Sequence, residues 1–155
     1  MTLEPTDHHI RLATFVGTWR GEERMHPSRE LPRGGVALGS FEYRMEVAGF
    51  FLISSYTQRR DGAQTYAGHG VYGYDGERGR HTMHWFDSTG GVAPSAPCHG
   101  SWEGDSLIFL RRSPQGFTRF VHTLEAHDRY GFRMDSSRDG ERWTPLLEGR
   151  YARKG

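Results

Sequence analysis

A chain of 155 residues suits one domain with a sizeable core. Its 20 basic and 19 acidic residues leave a net charge of +1, and no basic run exceeds Arg59-Arg60 or Arg111-Arg112, so the electrostatic footprint of a nucleic-acid binder is missing. Only 35% of residues are hydrophobic, which implies a very polar surface, yet aromatics at 13% and spread along the chain argue against disorder.

The one cysteine, Cys98, excludes an intrachain disulfide and a cysteine-based zinc cluster. The only lysine is Lys154, which sets aside Schiff-base chemistry from a buried lysine. Residues 1–16 have an acidic first half and no long apolar centre, unlike a signal peptide, and no apolar run approaches membrane length. The expectation is a soluble cytoplasmic protein, monomeric or homodimeric, with no membrane partner.

Residues 6–15 read as a short helix, capped by Thr6 or Asp7 behind Pro5, with Ile10, Leu12, Phe15 and Val16 as its apolar side. His8 and His9 fall in its first turn and are expected on the surface without a role. Gly17 permits a sharp turn into a strand with Trp19, Glu23 and Met25 on one face and Arg20, Glu22 and Arg24 on the other. Residues 27–35 form a long loop. The next strand alternates most clearly, with Phe41, Tyr43, Met45 and Val47 inward. Residues 50–58 return, and 64–74 and 80–87 follow, both with rings on both faces, so inside and outside stay open there.

After a second long loop at 88–97 come strands at 98–102, 107–112 and 117–126, the last with Phe120, His122 and Leu124 on one face. A strand at 130–135 turns Tyr130, Phe132 and Met134 inward, and a final strand at 143–152 turns Trp143, Leu147 and Tyr151 inward. About ten strands joined by turns, with no strand–helix–strand pattern, predict an all-β fold. A meander this long hides its edges by closing into an antiparallel up-and-down β-barrel, residues 1–155 as a single domain with the helix closing one end. A β-sandwich is the alternative. Strand parity then sets the 27–35 and 88–97 loops over one mouth, opposite the helix.

Gly17-Thr18-Trp19 after a short helix resembles the Gly-x-Trp start of lipocalin-type (calycin) barrels. More closely, Phe15-Val16-Gly17-Thr18-Trp19, Gly73-Tyr74-Asp75, Trp85-Phe86-Asp87-Ser88, Gly100-Ser101-Trp102-Glu103-Gly104 and Ala152-Arg153 resemble a bacterial family of lipocalin-like domains of unknown function. The resemblance implies the barrel and carries no activity. Gly17-Thr18-Trp19-Arg20-Gly21 is also similar to the opening of nitrobindin-type haem-binding barrels, but Glu23 stands where that family has glycine, and residues 143–152 lack its late histidine. Lipocalin-like barrels pair the Gly-x-Trp tryptophan with a late arginine, which implies Arg150 or Arg153 against Trp19. Of the two, Arg153 is the second choice because it sits two residues from the end.

Candidate ligand-binding residues are Glu23, Tyr43, Tyr56, His122, Phe132 and Trp143. His122 among apolar neighbours could hold a haem iron or a polar ligand, or be a core histidine with a satisfied hydrogen bond. A carboxylate on an apolar face, as at Glu23, suits acid–base work; its plain reading is an arginine partner from a neighbouring strand. A zinc site would need three converging ligands from His69, His81, His84 and His99, and none is expected. The candidate functions are a binding protein for a small, partly apolar ligand, a haem-binding barrel, and a cofactor-free isomerase or cyclase using His and Glu. No cofactor follows from the residues alone.

Overall fold

The computed structural model describes residues 3–91 and 96–155. A period-two alternation lets a strand lie in a wall with one dry and one wet face, and the chain does this ten times. The strands are β1 (Gly17–Met25), β2 (Gly35–Glu46), β3 (Phe51–Arg60), β4 (Ala63–Asp75) and β5 (Arg80–Asp87) in the first half. β6 (Cys98–Glu103), β7 (Ser106–Ser113), β8 (Gly116–Ala126), β9 (Arg129–Ser137) and β10 (Thr144–Lys154) make the second. Each pairs antiparallel with its chain neighbours, and β1 closes on β10. The expected closed up-and-down barrel is the observed fold.

α1 (Asp7–Leu12) precedes the barrel and tightens into a single 3-10 turn over Ala13–Phe15. Of the two histidines of its first turn, His8 is exposed as expected and His9 is half-buried, and both make local structural contacts. His9 takes the place of a capping-box glutamate, its Nδ1 accepting the Thr6 backbone N–H at 3.0 Å. His8 stacks on Tyr74, with ring centroids 4.1 Å apart. Arg11 donates to the Gly104 carbonyl at 2.6 Å and lies over Trp102. The helix is thereby fastened to the 75–79 and 103–105 turns, at the end opposite the 27–35 loop. Of the other long loop, residues 92–95 lie outside the described residues.

Three local departures from the sequence reading have physical causes. β2 begins at Gly35, ahead of Phe41 where alternation becomes obvious, because its earlier inward positions are the small Ala37 and Gly39 while Val36 and Leu38 face out. In β4 and β5 the inward set includes Tyr66, Tyr72, Met83 and Trp85; Gly68 and Gly70 leave room for the Trp85 and Tyr72 rings, which a Cβ at either glycine would strike. A register shift in β10 between Pro145 and Leu147 reverses side-chain parity. Leu147 and Tyr151 therefore keep their expected side, whereas Trp143 stands before the strand under the Arg119 guanidinium, 4.1 Å from its ring.

The wall is uneven. Among the described residues, β5 and β6 pair at His81↔Gly100, Thr82↔His99 and Met83↔Cys98, whereas β6 and β7 pair at five positions and the remaining neighbours at eight or more.

At the floor, Trp19 is fully buried and its indole N–H donates to the Phe15 carbonyl at 2.8 Å. Arg153, its register partner on β10, lays its guanidinium 4.1 Å from the indole centroid. The same group donates to the carbonyls of Val16, Thr14 and His127. Arg153 thus fills the role for which Arg150 had preference, since Arg150 faces outward. Trp19→Ala is expected to cost about 3–5 kcal/mol through the cavity it leaves, and Arg153→Met about 1–2 kcal/mol, as read from urea unfolding midpoints.

Candidate functional site

The mouth-side half of the barrel holds a cavity of about 390 Å³. Its walls are rings and thioethers from facing strands, among them Tyr56, Tyr66, Trp85, Phe120, Phe132 and Met134, and Ser28, Glu30 and Leu31 of the 27–35 loop border it. These side chains are inward because they share parity with the core residues of their strands. They leave space because α1, Trp19 and Tyr130 fill only the floor. Gln58, His26, His122, Ser28 and Glu30 are the polar exceptions among the lining residues, apart from the polar ends of the tyrosines and of Trp85.

His122 is buried in the deeper half of the cavity wall. Its Nδ1 lies 2.6 Å from the Tyr130 hydroxyl, which lies 3.0 Å from that of Tyr43. Burial holds the imidazole neutral, with its pKa driven down to about 3, and burial likewise pushes both phenols well up. The contact with the Tyr130 hydroxyl occupies Nδ1 in either tautomer of the ring. Nε2 is buried and has no partner among the described residues. The expectation of a satisfied core histidine holds for one nitrogen only.

Glu23 is fully buried beside the cavity. The expected arginine partner is absent among the described residues. Instead, Tyr56 donates to both carboxylate oxygens at 2.7 Å, Tyr151 donates at 2.5 Å and the Gln58 amide at 3.1 Å. Burial and then the adjacent carboxylate push the Tyr56 and Tyr151 hydroxyls upward, so both keep their protons. Two glycines make the seat. A Cβ at Gly39 would collide with the carboxylate, and one at Gly149 with the Tyr151 ring.

Of the six residues singled out from the sequence, Tyr56, Phe132 and His122 line the cavity. Glu23 sits one hydrogen bond behind Tyr56 and Gln58, Tyr43 belongs to the floor, and Trp143 lies away from the cavity wall. Gln58, Tyr66 and Trp85 were missed. The Gly68-x-Gly70 step in β4, which vacates space on one face, is the signal that would have turned Tyr66 and Trp85 inward. His69 packs near Phe86 on the outer side and His81 is buried on the inner side, its Nδ1 donating to the Gly73 carbonyl at 3.2 Å. Among the described residues, no three of His69, His81, His84 and His99 gather into a group that could hold a metal ion.

Haem does not fit the residues present. The His122 imidazole is hemmed in by the rings of Phe132, Tyr72, Phe109, Tyr130 and Phe15 at centroid distances of 5.0–6.3 Å. A porphyrin plane could reach Nε2 only by expelling several of them. His26, at the mouth, is paired with Glu148 at 2.9 Å, and β10 contains no histidine.

The architecture and the site together define a closed ten-stranded barrel with a ring-lined internal cavity. The chain belongs to the family described as a protein of unknown function, DUF1579, matched over residues 4–153. Among solved structures it is similar to Rv2717c from M. tuberculosis, at 13% identity and TM-score 0.71, covering 98% of this chain and 100% of that one. It is also similar to the S-type phycobiliprotein lyase CPES from Guillardia theta, at 8% identity and TM-score 0.66, covering 97% and 94%. A third likeness, at 14% identity and TM-score 0.56, is to a DUF3598 protein from Nostoc punctiforme, of which 49% is covered against 92% of this chain. These likenesses are of fold. No curated protein matches the sequence. Among the described residues no helix is long and apolar enough to cross a membrane.

The buried histidines set an acid dependence. Burial lowers the pKa of His122 to about 3 and of His81 to about 4, below the 6.5 of an unfolded histidine. Below pH 6.5 the unfolded chain therefore binds protons that the folded one refuses, and stability falls as pH falls, by up to about 1.4 kcal/mol per pH unit for each group. Unfolding measured between pH 7 and 4.5, above the carboxylate range, is expected to show this slope. His122→Gln or His81→Gln is expected to remove about half of their combined contribution.

Proposed function

We propose that this protein binds a small, mainly apolar ligand inside the barrel. The observation that carries the reading is the cavity itself. At about 390 Å³ it falls within the usual range for ligand pockets, and its wall is aromatic with a few placed polar groups. A void of this size in a protein core is otherwise costly, since interiors pack to crystal-like density. His122 offers the ligand an unpartnered ring nitrogen, Nε2, at the deep end, and Gln58 offers polar contact nearer the mouth. The lipocalin-like character suggested by the Gly17-Thr18-Trp19 start agrees with such a role.

Binding is favoured over acid–base catalysis by the state of Glu23. Both its oxygens are already accepting from three side chains, and it does not itself border the cavity. A general base must reach the proton that it removes.

The test is displacement of volume. Nile red, a neutral dye whose emission reports an apolar site, is expected to bind the purified protein. Met134→Trp puts an indole into the cavity and is expected to weaken binding at least tenfold, while shifting stability by less than about 1.5 kcal/mol. Dye binding unchanged by that substitution would place the dye elsewhere and remove the reading. Native mass spectrometry of the unheated protein is the companion measurement, since a retained natural ligand would appear as a mass increment.

A further inference from the structure

Around the mouth-side half of the cavity, three rings stand close together: Tyr56 and Tyr66 at 5.8 Å between centroids, and Tyr56 and Trp85 at 6.3 Å. All three line the lumen. Their polar handles point away from it, and two of them end on carboxylates. Tyr56 donates to Glu23 at 2.7 Å, and Tyr66 donates to Asp87 at 2.9 Å. The Trp85 indole N–H in turn donates to the Tyr66 hydroxyl at 2.9 Å. A phenol that donates to a carboxylate has an electron-richer ring, so the faces left to the cavity carry enhanced negative potential.

No arginine or lysine is among the lining residues, and Glu30 adds a carboxylate at the mouth. Glu23 itself is buried with hydrogen-bond donors but, among the described residues, no cation at salt-bridge distance. Buried charge is ordinarily matched by an opposite charge. Arg111, whose charge is felt at the Tyr66 hydroxyl, is exposed, lies over the Phe120 ring at 5.5 Å and does not border the cavity.

We propose that the mouth-side half of the cavity is an aromatic cage for an organic cation, so that the ligand is a substituted ammonium carrying an apolar body. Ammonium groups bearing alkyl substituents are held by ring faces through the quadrupole, and desolvation strengthens the contact. A cage of two carboxylate-backed tyrosines and one tryptophan supplies that attraction without a direct ion pair, which suits a head group with no N–H to donate. The apolar body of such a ligand would extend toward Phe120, Phe132 and His122. The proposal rests on the cavity being a binding site, and it adds a sign of charge.

Three probes of nearly one shape separate the two ideas: phenyltrimethylammonium, its neutral carbon counterpart tert-butylbenzene, and benzenesulfonate. Each competes with Nile red. The cation is expected to displace the dye at a concentration at least about tenfold below the neutral probe, the anion only above it. Glu23→Gln and Asp87→Asn are each expected to reduce the cation's advantage severalfold and to leave tert-butylbenzene unchanged. Asp87 is exposed, so its variant remains informative if Glu23→Gln lowers stability enough to unfold the barrel.

A cation no better than tert-butylbenzene overturns the charge preference and leaves the binding cavity standing. An advantage that survives both substitutions overturns the role of the carboxylates. Failure of the dye and all three probes to bind overturns both readings together.

Discussion

Closure of the barrel depends on how its first and last strands meet, and one group makes that junction. Arg153 comes from β10, lies across Trp19 of β1 and binds the carbonyls of Thr14 and Val16 that lead into the strand. Gly17 is required on two counts. Its φ of 139° lies in the region that favours glycine, and a Cβ there would strike the Arg153 guanidinium. The Gly-x-Trp step and the late arginine are thus one device, a cation seated in a notch over an indole. It sets the register of the closing pair at Trp19↔Arg153 and, through that register, brings Glu23 opposite Gly149 on the same pair of strands.

From this register follows the seat of the buried carboxylate. Glu23 has Ala37 beside it on β2 and Gly149 on β10, so both flanks are small. Gly39 and Gly149 leave the space into which the carboxylate and the Tyr151 ring turn. Three donors then arrive from β3 and β10, and the carboxylate is accommodated without an arginine. The polar cluster separates the packed floor of Trp19, Phe41 and Tyr130 from the vacant upper half of the barrel. It also orients Tyr56 and Gln58, which form part of the cavity wall.

Where one face of a strand is uniformly large and apolar, its direction was legible from residues alone, as in Phe41, Tyr43 and Met45 or Tyr130, Phe132 and Met134; Val47, expected inward with the first set, instead lies in the turn past β2 and is exposed. Direction was not legible where size alternates as well as polarity. Gly68 and Gly70 share the inner face of β4 with Tyr66 and Tyr72, so the rings read as belonging to both faces, and Tyr66 and Trp85 were overlooked as cavity-lining rings. Trp143 was misplaced because a register shift within β10 has no strong residue signature. For Glu23, burial and site proximity were foreseeable from parity. Its partners were not, because a tyrosine and an arginine can each cross a barrel to reach a carboxylate. The exclusion of haem rests on the crowd of rings around His122, a product of five separate segments that no local pattern reveals.

Among the described residues, β5 and β6 share three paired positions, fewer than any other two neighbours. Local opening is governed by how few backbone hydrogen bonds must break, which makes the described part of this seam the thinnest line in the wall. Met83 and Trp85 border both the inner cavity and the outer cleft beside this seam, so a small parting of the two strands enlarges the lumen directly. On the proposed reading as a binding cavity, this side of the wall is where the bore could widen to a ligand's girth, while the Arg153 clamp over Trp19 closes the floor.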